Sequence, residues 1–372
     1  MGYKPDTRLI NKRGVLYGFL IGLLLKYPQE QPMLASLIKQ KALQTGFLAC
    51  GIIPAETCTE FKNYLDERIR TFPQSKEFYQ SMFAMAEPPE GAKSIIVCTL
   101  RYNQYKEPQS LKGRVGKFYQ FDNRLTYTQE YRQKNEFETY LKTLGINLLK
   151  NNVSARWAAA KAGLGKFGYN NFIFSREHGS WIRIETWAAD TVMDYDRADG
   201  DLVLPGCSDN CRKCIDCCPT KALSDKFSMD RGKCIAHLGF RGNNGAGEEA
   251  AALKFAGQSQ QWIYGCDICQ DVCPVNKNRF TEQNDFPLLA EFEKFMEPEK
   301  ILEMDDNTYI NIVNPRFWYI GPQNIWKWKC IAIRCLVNSG DSKYHMLLKK
   351  YCDHEDARIR ETAVWGCQKL GI

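Results

Sequence analysis

From residue 33 onward the apolar positions fall into short runs of two different periods. Leu34, Leu37, Ile38 and Ala42 recur at the three- and four-residue spacing of one helix face, and Phe61 to Arg70 returns to it. Between them Phe47 to Ile53, with Gly51 near its end, predicts a strand. Pro88-Pro89 breaks the chain ahead of Ser94 to Leu100, whose β-branched content predicts a buried strand. Leu125 to Leu144 reads as a polar-faced helix closed by Gly145. Phe172 to Phe174 and Trp181 to Ala189 read as two further strands about the turn His178-Gly179-Ser180, where the lone His178 is a turn residue rather than a ligand. Beyond Pro298 the period becomes helical. Ile325 to Val337, Lys343 to Tyr351 and Ala357 to Leu370 are amphipathic and are separated by the polar stretches 338–341 and 353–356. Strands mixed with helices first, and helices alone at the end, make an α+β chain of two or three domains, in keeping with 372 residues.

Ahead of Met33 the pattern differs. Val15 to Leu25 is an unbroken apolar run preceded by Lys4, Arg8, Lys12 and Arg13. It is shorter than the roughly 20 residues that span a bilayer. No small-residue cleavage site follows it, so residues 1–32 are expected to be a docked helix or a translated extension with Met33 as the working start, not an export signal. The formal charge of +7 is concentrated at the two ends, with a surplus of three over residues 1–30 and of four over 323–372. A basic C-terminal face suits nucleic acid phosphates or an ordinary solvated helix surface.

Chemistry enters with the cysteines, sixteen in all. Eight lie scattered, at positions 50, 58, 98, 217, 330, 335, 352 and 367, as in a reducing cytoplasm. The other eight form two runs, Cys207-x3-Cys211-x2-Cys214-x3-Cys218-Pro219 and then Cys234 followed by Cys266-x2-Cys269-x3-Cys273-Pro274. Each run offers three thiols to one cube and a fourth, before proline, to another, which is the pattern of two [4Fe–4S] clusters. Crossing the pre-proline cysteines assigns Cys207, Cys211, Cys214 and Cys273 to one cluster, and Cys218, Cys234, Cys266 and Cys269 to the other. Cys234 stands 32 residues ahead of Cys266, so the second run is split by an insertion. The extra residue between Cys207 and Cys211 leaves the neighbouring Cys217 as an alternative ligand. Paired zinc knuckles are the other reading, though they need no Cys-Pro endings in register.

One further stretch stands out, Arg156 to Asn170, where an alanine-rich helix runs into Gly163, Gly165 and Gly168. Glycine there either brings the backbone close to a ligand or closes the helix. It is not a dinucleotide fingerprint, since it ends a helix rather than following a strand.

The combination of Ala162-Gly163-Leu164-Gly165, the following Gly168-Tyr169-Asn170, Gly179-Ser180-Trp181 and the split cysteine pattern resembles the epoxyqueuosine reductase family over roughly residues 33 to 290. The approach Ile263-Tyr264-Gly265-Cys266-Asp267 and the exit Cys273-Pro274-x-Asn276 share the resemblance. Reductive dehalogenases show it more loosely. What it implies is a cytoplasmic oxidoreductase that carries cobalamin beside two [4Fe–4S] clusters, draws on an external low-potential electron donor, has no membrane span, and reduces the epoxide of epoxyqueuosine in tRNA to queuosine. The implied layout is an extension at 1–32, a cobalamin-binding α/β domain at 33–199, a ferredoxin-like two-cluster domain at 200–298 and a HEAT-like helical tail at 299–372, acting as a monomer. The implied corrinoid contacts are Gly163, Gly165, Asn170, Ser180, Ala236 and Asp267. The tail would offer tRNA Lys349, Lys350, Arg358 and Arg360, with Asp356 capping its last helix.

The chain departs from that family at the substrate end. The family's proton-donating aspartate, about fourteen residues before the Gly-Leu-Gly turn, has no counterpart in Asn147 to Val153, which holds no acid. Its Gly-Lys-Asn is Gly168-Tyr169-Asn170, and Phe118 to Asp122 lacks its histidine. Tyr169 is therefore the expected acid, with Lys150 and Arg156 as alternatives. The competing activities are reduction of a small molecule by the same machinery, or electron transfer without a corrinoid.

Overall fold

The structure is a computed structural model that describes residues 31–203, 207, 210–240 and 253–372. The expected extension at 1–32 lies almost wholly outside the described residues. In chain order come α1 (Gln31–Gln44), β1 (Ala49–Pro54), α2 (Thr59–Thr71), β2 (Ser94–Arg101), α3 (Gln129–Thr143), β3 (Leu148–Leu149), α4 (Ala155–Lys161), β4 (Lys166–Phe167), β5 (Ile173–Phe174) and β6 (Ile182–Ala189). The main sheet runs β1-β2-β6-β3, and each of its pairs is antiparallel.

The two-residue period of β2 explains the layering. Ile96, Cys98 and Leu100 point to a core shared with α1 and α3, where Ile38, Phe137 and Leu141 meet Trp187 of β6. Ile95 and Val97 point the other way, to Ala158, Ala159 and Ala160 of α4. Alanine lets α4 lie close on the sheet, and the strand is buried on both faces. The helix expected from Leu125 starts later, at Gln129, because the Thr128 hydroxyl accepts from the Tyr131 N–H at 3.2 Å and caps it there. Just ahead, Arg124 folds back on Asp122 and holds that stretch as a turn.

After the sheet come β7 (Leu223–Asp225), β8 (Ser228–Met229) and α5 (Ile235–Phe240), and then the tail helices α6 (Ile325–Ser339), α7 (His345–Tyr351) and α8 (Ala357–Leu370). The tail is not a separate body. One apolar core runs from Tyr102 and Trp181, through Ile263 and Tyr264 beside the second cysteine run, to Trp328, Ile333 and Cys367 of the tail. Tyr264 stacks on Trp328 at 5.7 Å, and Asn338 donates to the carbonyls of Ala256 and Gln260. Asp356 caps α8 as expected. The arginines do not simply face outward, however. Arg358 chelates Asp356 and lies 3.7 Å from the Trp326 ring centre, while Arg360 bonds the His354 carbonyl. Among the described residues no helix is long and apolar enough to cross a membrane.

Candidate functional site

The two cysteine runs each form one helical turn, Lys213–Asp216 and Ile268–Asp271, and the turns pack on one another. Cys207, Cys211, Cys214 and Cys273 line a single cavity with Tyr169, Asn170 and Phe174, so the pre-proline Cys273 reaches across to the first run. The remaining thiols gather on the other side. Cys266 is half-buried with Cys234 and Cys218 as its thiol neighbours, and Cys269, also half-buried, has Cys266, Cys234 and Cys214. Burial, then these neighbours, pushes Cys214 up to about 12 and Cys266 and Cys269 well above the ordinary thiol range. Raised in this way, the Cys214, Cys266 and Cys269 thiols become ligands only where a cationic metal core favours their thiolates, as in an iron–sulfur cage. Cys217 does not line the first cavity but has Cys214 and Cys218 as thiol neighbours. Its thiol donates to the carbonyls of Cys214 (3.4 Å) and Ile268 (3.9 Å), and burial raises its pKa to about 11.

A buried polar seam ties the cysteine loops to the sheet. Asn276 accepts from the Ser180 N–H at 2.9 Å and donates to the Ser180 hydroxyl and the Gln270 carbonyl; Ser180 in turn donates to the Gln270 side chain. Asn170 donates to the Cys269 carbonyl at 3.0 Å. Asp267 accepts from the Lys117 N–H at 2.7 Å, and burial pushes its carboxyl up to about 7 against the pull of the Lys117 ammonium. That ammonium also bonds Asp271 at 2.9 Å and lies over the Trp181 ring.

The residues expected at a corrinoid are therefore spread over several tasks. Asn170, Ser180 and Asp267 belong to the seam. Gly163, at φ +73°, closes α4: its N–H bonds the Ala160 carbonyl and the Leu164 N–H bonds the Ala159 carbonyl, the double bond of a Schellman end. At Gly165 a Cβ would fall 2.9 Å from the Phe174 carbonyl, so that glycine allows β4 and β5 to close. Ala236, on α5, is half-buried against the apolar core. Tyr169, the expected acid, lines the first thiol cavity with its ring against Phe227 at 5.2 Å, and its N–H bonds Cys207.

A second constellation of polar side chains lies within electrostatic reach of Cys269. Arg156 of α4 is exposed to solvent, and the protein packed round it, then the Arg231 charge, pulls its pKa down. It donates to the Asn171 carbonyl at 3.0 Å; Tyr64 donates to the Asn171 side chain at 3.2 Å. Asn171 is held in the left-handed region at φ 64°, and its buried Nδ2 has no hydrogen-bond partner. Burial raises the phenols of Tyr64 and Tyr119, while the charges of Arg231 and Arg156 act on both in the opposite sense. Two arginines and two tyrosines thus converge from α2, α4, residue 119 and the stretch before Cys234. The sequence weighed only Arg156 among them. Tyr119 carried a signal, the altered stretch Phe118 to Asp122, but nothing local marks Tyr64 or Arg231. Arg183 of β6 fixes the Tyr119 stretch by donating to the carbonyls of Phe118 and Phe121. Gly265 allows the ring in, since a Cβ there would lie 2.8 Å from it.

With this geometry in hand, known proteins sort the alternatives. Residues 207–276 match the 4Fe-4S double cluster binding domain, which removes zinc and gives the chain two [4Fe–4S] clusters. The epoxyqueuosine reductase of Cellulophaga algicola is 30% identical over 266 residues, covering 68% of this chain and 82% of that protein. The solved epoxyqueuosine reductase of Streptococcus thermophilus superposes with a TM-score of 0.69 over 90% of each chain at 21% identity. Another, solved with an epoxyqueuosine-modified tRNA-Tyr stem loop, superposes at 0.68 over 91% of each. The chain is an oxidoreductase and belongs to the epoxyqueuosine reductase family.

Proposed function

We propose that this chain reduces the epoxide of epoxyqueuosine in tRNA, using a cobalamin bound beside Cys269 and electrons from an external low-potential donor. The observation that carries the reading is that Arg156, Arg231, Tyr64 and Tyr119 gather within electrostatic reach of one another and, through Arg156, of Cys269, beside the two crossed thiol groups. Cys207, Cys211, Cys214 and Cys273 would hold one cluster; Cys218, Cys234, Cys266 and Cys269 would hold the other. The unpartnered Asn171 Nδ2 and the Arg231 Nε, both buried, are unused donors of the kind that an acceptor-rich corrinoid takes up. When bound, cobalamin supplies a low-potential nucleophilic metal for opening the epoxide, fed one electron at a time through the clusters.

The chain's own residues do the rest. Asn170, Ser180 and Asp267 lock the cysteine loops to the sheet; Gly163 ends α4, Gly165 lets β4 and β5 close, and Ala236 stands on α5. Arg156 and Arg231 offer positive charge to the alkoxide that forms as the ring opens. The proton comes from Tyr119, whose phenol feels both arginines, rather than from Tyr169 on the first thiol cavity. The protein works as a monomer in the cytoplasm, with the tail's exposed Lys349 and Lys350 toward RNA.

The test is anaerobic reconstitution with iron, sulfide and cobalamin, followed by metal analysis and turnover of epoxyqueuosine-containing tRNA. Eight irons and one cobalt per chain, to about the nearest integer, with turnover are expected. Iron without cobalt would leave an electron carrier. Tyr119→Phe should lower turnover about 100-fold or more, the usual contribution of a general acid, with Tyr169→Phe near the parent.

A further inference from the structure

The loop after the helical segment Tyr309–Val313 carries two large aromatics to the surface. Phe317 and Ile320 anchor it in the core at 1% exposure each, while Trp318 and Tyr319 between them are 37% and 40% exposed. The anchoring is thorough. The Tyr309 hydroxyl donates to the carbonyls of Ile320 (2.9 Å) and Gly321 (3.1 Å), and the Tyr319 N–H donates to the Tyr264 hydroxyl at 3.1 Å. The two outward rings lie 5.1 Å apart and only 31° from parallel, so they form a shelf rather than two loose side chains.

Arg124 completes it. Its guanidinium lies 3.4 Å from the centre of the Trp318 ring, held there by two bonds to the buried Asp122 carboxylate (2.9 and 2.7 Å) and by the carbonyls of Pro315 and Arg316. A planar cation fixed on one ring face makes a preorganised stacking surface. The shelf adjoins the Tyr119 constellation, because the Tyr119 ring is 6.1 Å from Trp318 and 6.4 Å from Tyr319.

Resting on the tRNA-directed reading above, we infer that Trp318 and Tyr319, backed by Arg124, stack an unpaired nucleobase that flanks the base brought to Tyr119. Single-stranded RNA is gripped by aromatic and guanidinium planes against splayed bases, and the Trp318–Tyr319–Arg124 shelf beside Tyr119 presents both. Its role is positioning: it holds the anticodon loop open at the neighbouring nucleotide and touches no reacting atom.

The experiment uses the reconstituted full chain and an anticodon stem–loop RNA with 2-aminopurine next to the wobble position. In the parent, binding should quench the fluorophore. Trp318→Ala should weaken binding about 5- to 150-fold, the range for one stacked base, and abolish the quench while iron and cobalt content hold. Trp318→Phe should keep most of both. Where the alanine variant does not retain the cluster spectrum, Trp318→Leu against Trp318→Phe asks the same question with bulk preserved and only the π face removed. A parent that binds and a Trp318→Ala protein that binds and quenches equally would overturn the shelf and leave the reductase reading standing. Loss of cobalt from Trp318→Ala would assign the shelf to the cofactor and overturn it too. A parent with neither stem–loop binding nor turnover would remove the tRNA reading, and this inference with it.

Discussion

Asn276→Ala isolates the seam that joins the cysteine loops to the sheet. The side chain makes three bonds: it accepts from the Ser180 N–H and donates to the Ser180 hydroxyl and the Gln270 carbonyl, at 2.9, 2.8 and 2.9 Å. Truncation leaves the Ser180 N–H without a partner in an interior where Asn276 is 4% and Ser180 2% exposed. The Gln270 carbonyl keeps the Cys273 N–H, and the Ser180 hydroxyl keeps its bond to the Gln270 side chain. One orphaned buried group costs about 1–3 kcal/mol. For a chain of this size that is a fall of roughly 1–4 °C in the thermal midpoint of the cluster-loaded protein. Asn311→Ala is the control, since Asn311 is exposed and bonds only Asn307 one helical turn away; it should stay within about 0.5 kcal/mol. A midpoint for Asn276→Ala within about 0.5 °C of the parent, with iron retained, would refute the seam as a stabilising joint.

Other outcomes follow from the same coordinates. Cys273→Ala should leave about half the iron, while Cys217→Ala should leave all of it, read by iron analysis and by paramagnetic resonance after reduction. Gly163→Ala should cost about 1 kcal/mol in urea unfolding, because alanine at φ +73° is strained, and should leave cobalt content unchanged. Asp356→Ala should destabilise the tail by roughly 1 kcal/mol, seen as faster amide exchange in α8. The Arg358 bonds hold the Asp356 carboxyl below its usual range. That stabilisation is present above the ordinary carboxylate pKa and lost as pH falls through the lowered folded value, so the exchange difference should close at acid pH.

The parts of this architecture that are local in sequence were legible there. The cysteine spacing, the buried β2 strand and the bounds of α8 needed only neighbours a few residues apart. Two-residue strands such as β3 carry no period and surface only through their partner, Ala188 and Ala189 of β6. Gly163 shows the limit of a motif. The residues were consistent with a ligand cradle or a helix end, and only the two hydrogen bonds beyond α4 identify the end. The arginine–tyrosine group was hidden for a different reason: Tyr64, Tyr119, Arg156 and Arg231 come from four separate stretches. A constellation assembled by tertiary packing leaves no spacing to read.

The core that links Tyr264 to the tail also sets an order of events in the life of the chain. Tyr264 immediately precedes Gly265 and Cys266, and it is walled in by Phe317 at 4.5 Å and Trp328 at 5.7 Å, both far downstream. A ribosome that has just released Cys273 has therefore delivered all eight thiols of the two runs but neither Phe317 nor Trp328. A chain cut short before Phe317 carries both runs without the aromatic wall on which Tyr264, two residues ahead of Cys266, packs.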